Sequence, residues 1–307
     1  MYFPVAGIEV SPFVPLLAAF VISFFGSMGG ISGAVLLLPF QMSVLGHTSP
    51  SVSATNQLFN VIALPSGAYR HFKEKRMVWA LALVITAGTL PGVFIGALVR
   101  VVWLSDAGTF KLFVACVLMY VGARLVQDLL TVGKSLPSCP VSGKAPGNSP
   151  EGAKAAFEVE MREFSLRRIA YTFQEELHAC PTVGVLALCF VVGIVGGAFG
   201  IGGGVIIGPL FVAWFRLPVH TIGGAILLGM FIPAVAGVAV YMLIAPFFPG
   251  QSVSPDWALG LLLGLGGFVG VYLGSCCQKR VPASAIKWGL ALVLLGLALR
   301  YMWEYFV

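Results

Sequence analysis

Charged residues are scarce. The 307 residues include 18 Lys plus Arg and 12 Asp plus Glu, 10% of the chain, where a soluble domain carries about a quarter. With 58% hydrophobic residues and a mean hydropathy of +0.96, that scarcity excludes a soluble globular protein. Lys and Arg are missing altogether before Arg70. A signal peptide opens with a charged n-region, so none is expected and the first membrane segment is expected to be retained. Carboxylates are missing from the apolar runs. Glu9, Glu74, Asp106, Asp128, Asp256 and Glu304 sit in loops or at segment ends, and the other six lie in the central loop. This excludes a buried acid pair and an embedded carboxylate proton relay. The four histidines, His47, His71, His178 and His220, lie near segment ends or in the loop, and no Lys, Arg or His falls clearly at mid-membrane. The six cysteines make no ligand pattern, so neither a metal nor a cofactor is expected. A net charge of +6 reads as basic residues collecting in cytoplasmic loops, not as a nucleic-acid surface.

What the chain does have is long apolar runs, at about 12–45, 52–69, 77–103, 108–130, 182–215, 219–248, 256–277 and 284–306. These far exceed a barrel strand, so the fold expected is an all-α integral membrane protein set in a lipid bilayer. Residues 1–130 and 182–307 form two membrane halves separated by a linker, 131–181. The halves repeat. At a constant offset of 170, Gly26 falls on Gly196, Gly30 on Gly200, Gly33 on Gly203 and Pro39 on Pro209. Farther on, Gly92-Val93-Phe94-Ile95-Gly96 matches Gly270-Val271-Tyr272-Leu273-Gly274, and Lys111 and Arg124 match Lys287 and Arg300.

If each run crossed once, Lys279, Arg280 and Arg216 would fall on the wrong side for the positive-inside rule. If the first run of each half bends back at its glycines, most basic residues come inside, and Arg100, Lys111 and Arg300 stay outside. The expectation is therefore two inverted repeats, each a Gly-broken helical hairpin plus three transmembrane helices. The central loop is then cytoplasmic. Its first part, Lys134–Pro150, is rich in Pro, Gly and Ser and reads as a linker. Residues 155–173 alternate with period two, which predicts short strands, such as a hairpin; an amphipathic surface helix is the alternative.

Two stretches could carry chemistry. The first is the pair of glycine-rich breaks, with Gly29, Gly30, Ser32 and Gly33 in one half and Gly200, Gly202, Gly203 and Gly204 in the other. A broken membrane helix frees backbone groups, and the N-terminus of the resuming helix presents N–H donors to a small anion. Tight helix packing through small residues is the plain alternative. The second is Thr55, Asn56, Gln57 and Asn60, with Ser53 nearby. Amides and hydroxyls are costly in lipid and face a cavity or another helix. The matching segment of the second half, around Gly223–Leu227, is apolar, so the polar side chains of any site come mainly from the first half. Coupling to sodium or a proton is open, and a homodimer is compatible with this plan. Gly30-Ile31-Ser32-Gly33 also resembles the G-x-S-G motif of rhomboid intramembrane proteases, but no histidine is placed to activate Ser32, so no enzyme is expected.

The glycine stretch Gly200–Gly204 with Pro209, its partner Gly29–Gly33 with Pro39, the Ser-Ala-Thr-Asn segment and the basic turn after the second run together resemble the TauE/SafE sulfite exporter family, also called the toluenesulfonate uptake permeases. The resemblance covers both halves. It implies a secondary transporter of a small sulfur-containing anion, sulfite or an organosulfonate, as a multi-pass protein of a prokaryotic inner membrane, with the glycine stretches and Thr55-Asn56 at the site. The long central insert, and Ser32 and Ala34 where the second half has glycine, depart from the pattern. Alternatives are a transporter or channel for another small oxyanion, or a membrane receptor or scaffold acting through the cytoplasmic loop.

Overall fold

The computed structural model describes residues 1–29, 31–73, 78–131, 160–165, 169–173, 176–215, 219–277 and 283–306. Every apolar run becomes helix, because a backbone in lipid must satisfy its own hydrogen bonds. The first run divides into α1 (Phe13–Gly29) and α2 (Ala34–Ser43), followed by α3 (Ser51–Lys73), α4 (Trp79–Val102) and α5 (Ala107–Thr131). The second half has the same order: α6 (Thr182–Phe199), α7 (Gly204–Phe215), α8 (Val219–Ile244), α9 (Trp257–Cys277) and α10 (Ala283–Phe306). Carboxylates start two of these helices. Asp106 Oδ2 accepts from the Thr109 amide (2.9 Å) before α5, and Asp256 Oδ1 accepts from the Leu259 amide (3.0 Å) before α9.

Among the described residues, six helices are long and apolar enough to cross a membrane: α4, α5, α6, α8, α9 and α10. Three helices follow each hairpin, as the sequence predicts: α3, α4 and α5, then α8, α9 and α10; of these only α3 falls outside the six, and α6, in the second hairpin, makes up the number. The first ten residues of α3, Ser51–Asn60, are all buried, and they carry two serines, a threonine and three carboxamides. This stretch is enclosed by protein. At about 1.5 Å per residue, α1 and α2 reach roughly 25 and 15 Å, short of a hydrocarbon core of about 30 Å.

Three strands occupy the described part of the central segment: β3 (Glu160–Phe164), β4 (Ile169–Phe173) and β5 (Glu176–Cys180). They form one antiparallel sheet in the order β3-β4-β5, with Ile169 opposite both Phe164 and Cys180. The alternation in the sequence foreshadows β3 and β4; β5 lies beyond the stretch that alternates. A two-stranded N-terminal ribbon, β1 (Tyr2–Phe3) with β2 (Ile8–Glu9), is pinned by Asp256 Oδ2, which accepts from the Val5 and Ala6 amides (both 3.2 Å).

The packing joins the halves by exchange. α1 lies along α9, and α6 lies along α4. Both interfaces are glycine-lined. A methyl group at Gly92 would overlap the carbonyl of Phe190, and one at Gly270 would overlap that of Phe20. Phe20 and Phe190 are 170 residues apart, so one contact is built twice with the roles of the halves swapped. Gly88, Gly92 and Gly96 step along α4 as Cys189, Gly193 and Gly197 step along α6, so these two helices run parallel. α5 and α10 run antiparallel: Lys111 Nζ meets Glu304 Oε2 at 2.8 Å, and Gly122 packs on Leu294 and Leu295. Helix α3 contacts α8 and α9.

Backbone contact at the α4–α6 seam gives a direct test. Gly92→Ala should cost about 1–3 kcal/mol through overpacking. Gly289 and Gly296 sit inside α10 with nothing within 4 Å of an added Cβ, so alanine there should be neutral or stabilise by about 0.5–1 kcal/mol. Thermal unfolding of the three purified variants in detergent would check the order.

Candidate functional site

The two breaks fold alike. After α1, the chain turns back at once: Ile31 N donates to Gly26 O (2.9 Å), and Leu36 N and Leu37 N donate to Gly33 O (3.1 and 2.9 Å). After α6, Ile201 N donates to Gly196 O (3.1 Å), and Ile206 N and Ile207 N donate to Gly203 O (3.0 and 3.1 Å). Each bond of one set lies 170 residues from its mate. Gly33 comes to rest against Ser23, and Gly203 against Val192, so α2 and α7 double back beside the helices they follow. The backbones differ. Gly200, Gly202 and Gly203 have φ of +83°, +70° and +78°, a left-handed path that glycine takes without steric cost. Gly33, the mate of Gly203, has an ordinary φ of −55°. Gly30 lies outside the described residues.

The amide-rich start of α3 stitches these breaks together. Asn56 Nδ2 donates to Ala34 O at the start of α2 (3.1 Å). Gln57 Nε2 donates to Gly196 O (3.4 Å), and Asn60 Nδ2 donates to Gly200 O (3.1 Å). Ser53 Oγ donates to Ala198 O (2.8 Å). One helix thus reaches the first break and, through three side chains, the second. The carboxamides, at helical spacing, add donors to main-chain carbonyls at the start of α2 and around the end of α6, where Gly196 O also accepts from the Gly200 and Ile201 amides. Asn56 Oδ1, Gln57 Oε1 and Asn60 Oδ1 are buried and have no protein partner.

Not every candidate residue faces this junction. Thr55 Oγ1 accepts from the Asp256 amide (3.0 Å), joining α3 to α9 instead. Gly29 is turned toward Leu290 of α10, and Gly202 and Gly204 toward Met230 of α8. Gly200 does face it, lying against Ser53 and Asn56. Ser32 Oγ accepts from the Ala34 amide (3.4 Å), and His47 Nε2 is paired with Ser51 Oγ (2.5 Å). Burial holds the His47 ring down at about 4, so it is neutral.

The structure adds residues that the sequence reading passes over. Arg100, which the charge count assigns to the outer side of the membrane, is fully buried within the protein. Its Nε donates to Ser53 Oγ (3.3 Å), its Nη2 to Thr48 O (3.2 Å) and its Nη1 to Leu104 O, while the guanidinium lies 3.6 Å from the Phe110 ring centroid. Its hydrogen-bond partners among the described residues are all uncharged. The sequence signal was there: Arg100 is the one charged residue inside the 77–103 run, three positions from its end. Ser23 is the second addition. Its Oγ is buried without a partner beside Gly33.

Gly200→Ala should be the most damaging alanine substitution at the second break. It combines a left-handed φ, costing about 1–2 kcal/mol, with overlap on Ser53 O. Gly202→Ala meets nothing nearer than 3.6 Å, so it should lose only the backbone term. Comparing the unfolding temperatures of the two variants checks this; equal losses would contradict it.

Comparison with known proteins agrees with the architecture. The family profile described as "Sulfite exporter TauE/SafE" matches residues 15–301. The chain is 22% identical over 286 residues to the "Probable membrane transporter protein YunE" of Bacillus subtilis (strain 168), covering 91% of this chain and 93% of that protein. It is 24% identical over 287 residues to a "Probable membrane transporter protein" of Xylella fastidiosa (strain 9a5c), covering 91% and 90%. No solved structure matches. A multi-pass membrane protein with two glycine-broken hairpins, matched by this profile over nearly its whole length, belongs to the TauE/SafE sulfite exporter family of membrane transporters.

Proposed function

We propose that the protein is a secondary transporter of a small sulfur-containing anion, sulfite or an organosulfonate, which binds between the two breaks and moves by alternating access of two inverted repeats. The observation that carries this reading is the α3 junction. One polar helix holds both breaks, so a ligand there touches both halves of the chain. Helix N-termini at Gly33–Ala34 and Gly203–Gly204 offer backbone N–H groups and a positive dipole end. The unpartnered Ser23 hydroxyl beside Gly33 is a further donor. Asn56 and Gln57 each keep a second amide hydrogen for an anion's oxygens.

Charge supports the same reading. Arg100 sits one hydrogen bond from Ser53, and Ser53 one from Ala198 at the end of α6. A buried guanidinium surrounded by uncharged partners leaves a positive potential that an anion compensates. Inversion is supported by α5 and α10. These are equivalent helices of the two halves, and they run antiparallel, as an in-plane two-fold requires. In that arrangement the central segment is cytoplasmic and the membrane is the inner one.

Flux into proteoliposomes should be measured for sulfite, thiosulfate, organosulfonates and sulfate, with and without sodium and proton gradients. Saturable flux of sulfite or an organosulfonate is the expected result; flux of none of them would refute the reading. Arg100→Gln keeps hydrogen-bond donors but removes the charge. It should weaken anion binding about tenfold or more, equivalent to about 1.4 kcal/mol; unchanged affinity in a stable variant would remove Arg100 from the account.

A further inference from the structure

An anion site should be lined with donors, yet the α3 junction also holds three acceptors with nothing to accept. The amide nitrogens of Asn56, Gln57 and Asn60 face the main-chain carbonyls of Ala34, Gly196 and Gly200. A carbonyl can only accept, so each nitrogen is fixed toward it and each side-chain oxygen points the other way. All three residues are fully buried, and all three oxygens lack a protein partner. Residues three and four apart on a helix are neighbours. Asn60 therefore stands beside both Gln57 and Asn56, which puts the three carboxamides in one patch on one face of α3.

We propose that this patch binds a desolvated sodium ion next to the transported anion. Carboxamide oxygens are hard neutral ligands, the kind that take an alkali cation from water. The patch contains no carboxylate, and Mg²⁺ and Ca²⁺ sites are built around carboxylates, which points to a monovalent ion. Carboxamides do not titrate in the physiological range, so the patch cannot carry a proton in the ion's place. Gly200 lies against Asn56, and Gly237 against Gln57. The end of α6 at Phe199 adds the negative end of a helix dipole. An ion here neutralises the anion across the junction and joins the same two breaks. The coupling role rests on the transport reading above; the binding site does not.

The test is thermal unfolding of the purified full-length protein in sodium, potassium or choline chloride at matched ionic strength, without any sulfur anion. A ligand that binds only the folded state raises its unfolding temperature saturably. Sodium should do so, and potassium and choline should not. Gln57→Met removes one oxygen at similar length and should raise the half-saturating sodium concentration about tenfold. Identical unfolding in the three salts, or an equal rise in all, overturns the site, leaving water on these oxygens; this holds whether or not the variant folds. Sulfite flux indifferent to sodium, together with no sodium-specific shift, would sink the site and leave the transport reading standing. A sodium-specific shift without sulfur-anion flux would do the reverse.

Discussion

A helix rich in serine and carboxamide cannot face lipid, and the rest of the molecule is arranged around that constraint. Ser51–Asn60 is fully enclosed, and an unpartnered polar group in such a place costs about 1–3 kcal/mol. Its donors need main-chain carbonyls, and they find them at Ala34, Gly196, Ala198 and Gly200 beside the two breaks. Three of these lie around the end of α6, which stops at Phe199 inside the protein. The polar helix and the glycine breaks therefore require each other. The breaks expose backbone, and α3 supplies the side chains that make this exposure tolerable.

The glycines outside the breaks serve a second purpose. Along α4 and α9 they let a hairpin helix from the other half approach at backbone distance, the close contact that drives helix association in lipid. Each half thus grips the hairpin of its partner. Neither hairpin packs mainly within its own half, so a movement of one half against the other displaces one break relative to the other. In the proposed cycle this links the occupancy of one site to the positions of both repeats.

Much of this was legible in the sequence. The apolar runs fixed the helices, and the 170-residue offset located the two breaks, because glycine and proline mark interruptions of backbone structure. Ser53-to-Asn60 stood out because amides are rare in apolar runs. Other features were not legible. A glycine has no side chain to indicate its facing, so nothing showed that Gly29 turns to α10 and Gly202 to α8 while Gly200 turns to α3. Arg100 looked like an end-of-segment charge, since burial depends on Thr48, Ser53 and Phe110, which only the fold brings together. Thr55 reads as part of the amide cluster but lies on the face of α3 toward Asp256. The repeat also concealed an asymmetry: the left-handed Gly203 has as its counterpart Gly33, whose φ is ordinary.

The central claim is that backbone N–H groups of both breaks face one anion site spanned by α3. Hydrogen–deuterium exchange of the full-length protein, with and without sulfite, reads those groups directly. The account predicts that sulfite slows exchange in the segments around 31–37 and 201–207 together, over one concentration range. Slowing at only one break, or at neither while sulfite is transported, would contradict it.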